Sequence, residues 1–221
     1  FNEISEEKYN PTTPPDAFTI KQKTSKVEYI QECERIKQDI INGEYYEINF
    51  CMEFYAENCE LNPMHKYFQL NELSPMPFSS FCKFGNIFVI SASPERFLKR
   101  HANKLISQPI KGTAKRSANV EEDAQLKSDL AASDKERSEN TMIVDLIRND
   151  LSKTAIKGKV TVEELCKVYS FKQVHQMIST VTSEVELNTH PVDIIKSTFP
   201  MGSMTGAPKI SAMKIIETLE E

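Results

Sequence analysis

The chain has no run approaching the roughly 20 apolar residues that cross a bilayer. It also has no Cys-x-x-Cys spacing, no internal repeat, no low-complexity tract and no surplus of positive charge. Each absence removes a class. A membrane-spanning reading falls with the apolar run, and the pattern of a secretory signal is missing as well. The five cysteines, Cys33, Cys51, Cys59, Cys82 and Cys166, are odd in number and unpaired in spacing. That argues against a zinc or disulfide framework and suits a reducing, cytoplasmic compartment. Lys and Arg number 27 against 32 Asp and Glu, a net charge of −5, so nothing favours nucleic-acid binding in bulk. An anionic substrate would need local lysines or a metal to overcome that field. The first residue is Phe1, not methionine, from which a longer parent protein is expected.

What is present suits a globular α+β protein. Hydrophobic residues make up 39% of 221, enough for a core. Residues 1–24 are polar and carry Pro11, Pro14 and Pro15, and are expected to form an irregular arm. Ser25-Lys26-Val27-Glu28 has the form of a capping box. Val27, Ile30, Cys33, Ile36, Ile40 and Ile41 then recur at helical spacing until Asn42-Gly43 stops the helix. The spacing predicts short strands over 45–55, 78–83, 87–91, 96–100 and 105–110, with turns at Asn86 and Asn103. Residues 120–151 lack glycine and proline and predict two helices joined near Ser133. Met142, Ile143, Leu146, Ile147 and Leu151 form an apolar stripe on the second. Strands are expected again at 160–162 and 174–185, and helices at 191–198 and after Pro208. Strands first and helices mixed in later suggest an α+β fold with a largely antiparallel sheet.

Three constellations could carry chemistry. Ser93-Pro94-Glu95 and Pro109-Ile110-Lys111-Gly112-Thr113 place a carboxyl and an amine at the ends of short strands, an acid and a potential nucleophile. A surface lysine paired with a neighbouring acid is the plainer alternative. A lysine with an ordinary pKa of about 10.4 is neutral about once in 2,500 molecules at pH 7, so Lys111 needs desolvation, a nearby cation or a base to react. In Lys135 to Asp150, Glu139 stands at the edge of a polar helix face. A carboxylate there suits Mg²⁺, which takes only one or two carboxylates and keeps waters, or a solvated ion-paired helix. Gly202-Ser203-Met204-Thr205-Gly206-Ala207-Pro208-Lys209 precedes a helix N-terminus, a setting that suits an anion. Its spacing is not that of a Walker P-loop. His175, in an apolar stretch, reads first as a satisfied core histidine.

In this order the motifs resemble the chorismate-utilising enzymes. The residues that carry the resemblance are Ser93-Pro94-Glu95-Arg96-Phe97, Pro109 to Thr113, Lys135 to Asp150 and Phe199 to Lys209. A weaker match is Gly43 to Phe50, where Glu47 stands at a position usually held by glutamine. The match runs over roughly residues 25–221, taken as one chorismate-binding domain that is incomplete at its C-terminus, since the family's second metal glutamate and later substrate contacts are not among these residues.

The resemblance implies two packed, largely antiparallel sheets with helices outside, as in anthranilate synthase component I. It implies that Glu95 is the general acid for the C4 hydroxyl of chorismate and that Glu139 holds Mg²⁺. Gly112, Thr113, His175, Gly206 and Lys209 are implied to meet the substrate or close its pocket. Lys111 points to the aminodeoxychorismate synthase component I branch, where a lysine attacks C2 and ammonia from a glutamine amidotransferase subunit adds at C4. The product, 4-amino-4-deoxychorismate, leads to 4-aminobenzoate and folate. Anthranilate or isochorismate synthase, or a non-catalytic chorismate-binding scaffold, are the alternatives. One departure is Gly112-Thr113-Ala114-Lys115-Arg116, where the family usually reads Gly-Thr-Arg-Pro-Arg; the positive charge is expected to be kept and the turn altered.

Overall fold

The computed structural model describes residues 18–220. They fall into two compact units: the N-terminal residues up to Lys26 with Met52–Glu95, and Val27–Cys51 with Arg96–Glu221. The single domain expected over 25–221 is thus divided. Most of the expected irregular arm lies outside the described residues; of its last part only Lys21–Gln22 forms a strand.

In the first unit, β1 (Lys21–Gln22) pairs antiparallel with β3 (Phe54–Tyr55), and Lys21 Nζ meets Glu57 at 2.6 Å. A helix follows over Pro63–Leu73, with Pro63 in its first turn and Asn62 accepting from the His65 N–H at 3.0 Å. β4 (Phe78–Phe84) and β5 (Ile87–Ser93) form a hairpin in full register, from Phe78 opposite Ser93 to Phe84 opposite Ile87. Its two-residue turn is Gly85-Asn86, with Gly85 at φ +60°, a conformation that costs glycine little. Tyr67, Phe81 and Phe88 stack in a chain between the helix and the hairpin, with centroids 5.8 and 6.0 Å apart.

The second unit opens with α1 (Lys26–Ile41), which buries Ile36 and ends where Gly43 takes φ +83°. Of the long strand expected at 45–55, only β2 (Glu47–Ile48) and the separate β3 form. The unit's centre is an antiparallel sheet of β6 (Arg96–His101), β7 (Lys104–Gln108), β8 (Ile110–Lys115), β9 (Val160–Ser170) and β10 (Val174–Glu184). β7 and β8 pair with successive halves of β10, and β9 pairs along its other edge.

The two expected helices are present. The first, α3 (Val120–Ala132), is capped by Asn119, and α4 (Asp134–Ser152) by Ser133, each cap accepting from N–H groups of the first turn. Of the expected stripe on α4, Ile143, Ile147 and Leu151 are buried in the main core with Leu105, Val181, Val185 and Ile194, Met142 and Leu146 are half-buried, and Val144 joins the core unforeseen. Complete burial of one such side chain is worth about 1.5–3 kcal/mol. α5 (Pro191–Thr198), a 3₁₀ turn (Gly202–Met204), β11 (Gly206–Ala207) and α6 (Lys209–Leu219) complete the unit.

Candidate functional site

β8 carries the centre of the site. A Cβ on Gly112 would lie 3.0 Å from Glu136 Oε2 and 3.2 Å from Leu130 Cδ1, so Gly112 faces α3 and α4. Ala114, packed against Leu130, Cys166 and Met177, shares that face. Residues 110–113 of β8 stand opposite only 176–178 of β10, so one extra residue bulges the strand at Lys111-Gly112 and the alternation is broken there. Gly112 adopts φ +92°, so a side chain there would meet both strain and crowding.

Lys111 meets one defined partner. Its ammonium forms a short ion pair with Glu47 Oε1 of β2, and the two side chains are only 16% and 19% exposed. The second oxygen, Glu47 Oε2, is buried and has no hydrogen-bond partner among the described residues.

Glu47 is held by the glycine loop. β2 pairs antiparallel with β11, with Gly206 opposite Ile48 and Ala207 opposite Glu47. Tyr46 N–H donates to Ala207 O and Asn49 N–H to Thr205 O, each at 2.8 Å, and the Asn49 side chain donates to Ser203 O at 3.1 Å. Gly206 is the point of closest approach: at φ +150°, a Cβ would stand 2.2 Å from the Glu47 carbonyl oxygen. The loop is fixed from behind by α4. Gly202 lies against Leu146, and Lys209 Nζ donates to Asp150 Oδ2 at 2.7 Å and Thr198 O at 2.9 Å.

The structure thus joins Lys111, Gly206 and, unforeseen as a site residue, Glu47. Thr113 is exposed, opposite Gln176 of β10. Two expected substrate contacts sit elsewhere. The Lys209 ammonium is engaged by Asp150 and a carbonyl, both shielded from water, so its charge anchors the loop. His175 is 1% exposed, opposite Ala114 on the helix-facing side. Its ring nitrogens meet Ser170 Oγ at 2.9 Å and Asp123 Oδ1 at 3.1 Å. Pairing with Arg116, then the Ser117 N–H and His175, holds the Asp123 carboxyl well below the usual carboxylate range. Arg116, the positive charge kept from the altered turn, therefore docks α3 on the sheet.

Glu95 ends the first unit. There Ser93 Oγ donates to the Glu95 carbonyl at 3.2 Å, closing a tight turn around Pro94. Glu139 projects from α4 with its side chain 36% exposed and Lys135 at 3.6 Å. Among the described residues, no three His, Cys, Asp or Glu side chains gather closely enough to hold a metal by themselves. One accessible carboxylate completed by water and substrate oxygens is a donor set that Mg²⁺ accepts, so Glu139 fits that ion in part.

A family model described as chorismate binding enzyme matches residues 2–221, and the chain belongs to that family. It is 44% identical over 195 residues to an aminodeoxychorismate synthase of Streptomyces griseus, covering 87% of this chain and 27% of that protein. It is 40% identical over 196 residues to aminodeoxychorismate synthase component 1 of Klebsiella aerogenes, covering 89% and 43%. Its fold matches that of anthranilate synthase component I from Streptococcus pneumoniae TIGR4, with a TM-score of 0.81 and 29% identity over 99% of this chain and 48% of that one. The chain spans less than half the length of these relatives. The mixed α+β class with antiparallel sheets expected from the sequence is the class observed.

Proposed function

We propose that the protein containing this chain converts chorismate and ammonia to 4-amino-4-deoxychorismate, as an aminodeoxychorismate synthase component I. The observation that carries the reading is Lys111: an amine at the end of a strand, shielded from water and held by a carboxylate beside the Gly206 loop. Relatives bearing that name at 40–44% identity support it.

In this reading the neutral Lys111 amine forms a bond to C2 of chorismate while the C4–O bond breaks. Glu95, as general acid, gives its proton to the departing hydroxyl, which leaves as water. Ammonia then forms a bond to C4 and the C2–N bond breaks, which returns Lys111 as a free amine. Covalent attachment divides one difficult substitution into two. Glu139 would hold Mg²⁺, whose charge offsets that of a substrate carboxylate. Thr113 offers an exposed hydroxyl two residues from Lys111, and Gly112 lets the strand lie close to the helix that carries Glu139.

The ammonia would come from a glutamine amidotransferase subunit, consistent with the component 1 naming of relatives. A cytoplasmic setting agrees with the free cysteines and with the described helices, none of which is long and apolar enough to cross a membrane.

The test supplies the intact protein with chorismate, ammonium and Mg²⁺ and identifies the product by mass. Aminodeoxychorismate is expected, and Lys111→Ala should lower its rate at least about a hundredfold while chorismate still binds. An undiminished rate in Lys111→Ala would remove the nucleophile role. Anthranilate or isochorismate as product would overturn the assignment.

A further inference from the structure

The mechanism just described requires a neutral amine, and an ordinary lysine in water is neutral only about once in 2,500 molecules at pH 7. Something must take its proton. We propose that Glu47 is the proton-accepting and positioning partner of Lys111, an inference that rests on the covalent role given to that lysine.

The geometry places one Glu47 oxygen on the Lys111 ammonium and leaves the other buried and unpartnered among the described residues. A glutamine at this position could orient the amine but could not take its proton. The carboxylate sits on a short strand tied on both sides of residue 47 to the glycine loop, so its position is set by backbone pairing and not by a flexible turn. The transfer balances within the pair: Lys–NH₃⁺ and Glu–COO⁻ become Lys–NH₂ and Glu–COOH. The amine's lone pair is then free to form the bond to C2. Net charge does not change, and the neutral pair is the form favoured as a bound substrate drives out water, because two buried ions lose their hydration.

Other charged groups around β8 are engaged elsewhere. Asp123 of α3 is held by Arg116 and His175 on the helix-facing side. Glu136 of α4 lies against Gly112, also on that side, with Lys135 at 3.7 Å. Lys115, opposite Val174 at the end of β8, is exposed and has no part in the pair.

The experiment compares Glu47→Gln with the native intact protein in two ways. The first is the pH profile of kcat/KM for aminodeoxychorismate formation. Expected is a loss of about tenfold or more near pH 7 that shrinks steadily as pH rises and solvent takes over removal of the proton, with KM little changed. A loss of equal size at every pH would mean a structural role and overturn the proposal, as would no loss. The second is trinitrobenzenesulfonate labelling of Lys111, read by peptide mass without any chorismate. A rate differing from native by more than about threefold, with Lys115 labelling unchanged, is expected if the two groups share a proton; equal rates overturn it. Because labelling needs no turnover, a native protein that makes no aminodeoxychorismate would refute the proposed function while the Glu47 coupling is still measured.

Discussion

Replacing Gly206 by alanine should disconnect Glu47 from the loop, and the cost can be worked from the structure. The backbone there has φ +150°, which an L-residue rarely adopts and which costs about 1–3 kcal/mol when forced. The new methyl would stand 2.2 Å from the Glu47 carbonyl oxygen and 2.9 Å from Ala212 Cβ. A carbon reaches a carbonyl oxygen comfortably only near 3.3 Å, so β2 and β11 must part by about 1 Å. The Tyr46-to-Ala207 and Asn49-to-Thr205 hydrogen bonds, both 2.8 Å, would stretch beyond useful length. Losing two at about 1 kcal/mol each, with the strain, gives roughly 3–5 kcal/mol. Gly158→Ala is the control: its φ is +78° but nothing lies within 4 Å, so strain alone applies, about 1–2 kcal/mol. Urea midpoints at unchanged m-value report the difference. Hydrogen exchange should show lost protection at the Tyr46 and Asn49 amides. The reasoning is refuted if Gly206→Ala costs no more than Gly158→Ala, or if those two amides stay protected.

Two further outcomes follow from the ion pairs behind the site. The Asp123 carboxyl is depressed by Arg116 first and the Ser117 N–H next, so its stabilisation is fully present above the unfolded value of about 3.9. It is lost as pH falls below that value. Thermal melts from pH 5 downward should therefore fall more steeply in the native protein than in Asp123→Asn, and parallel curves would contradict this. Asp150→Ala strands the shielded Lys209 ammonium and should cost about 3–5 kcal/mol. Lys209→Met leaves Asp150 its second partner, Lys153 at 2.6 Å, and should cost less in denaturant melts; the reverse order would refute the account.

Where local chemistry decided the structure, the sequence was readable. Ser133 and Asn119 stand as caps because short polar side chains satisfy first-turn N–H groups, and the stripe on α4 is buried because its spacing matches a helix turn. The Gly85-Asn86 hairpin followed from its turn residues. The long strand expected over 45–55 did not form, because Tyr45 to Tyr55 holds aromatic residues without a single long partner. Glu47–Ile48 finds β11, some 160 residues later, and Phe54–Tyr55 finds β1. Non-local pairing of that kind leaves no mark in local composition.

The site shows the same boundary more sharply. Lys111, Gly112 and Gly206 stood out in the sequence through the order of the motifs around them, since a lysine at a strand end is by itself more plainly an ion-paired residue. The facing of His175 was not legible, since a one-residue change of register moves a side chain to the opposite side of a sheet. His175, opposite Ala114, belongs to the helix side and meets Asp123, whereas Gln176 opposes the exposed Thr113. Glu47 was visible as a departure from the family pattern but had no assigned task, because its partner is 64 residues away. Only the antiparallel closure of β2 on β11 brings that carboxylate to the amine, and only a glycine at 206 permits the approach. The ion pair of Lys111 therefore depends on a loop almost a hundred residues downstream, and the pair should be treated as one unit when either member is changed.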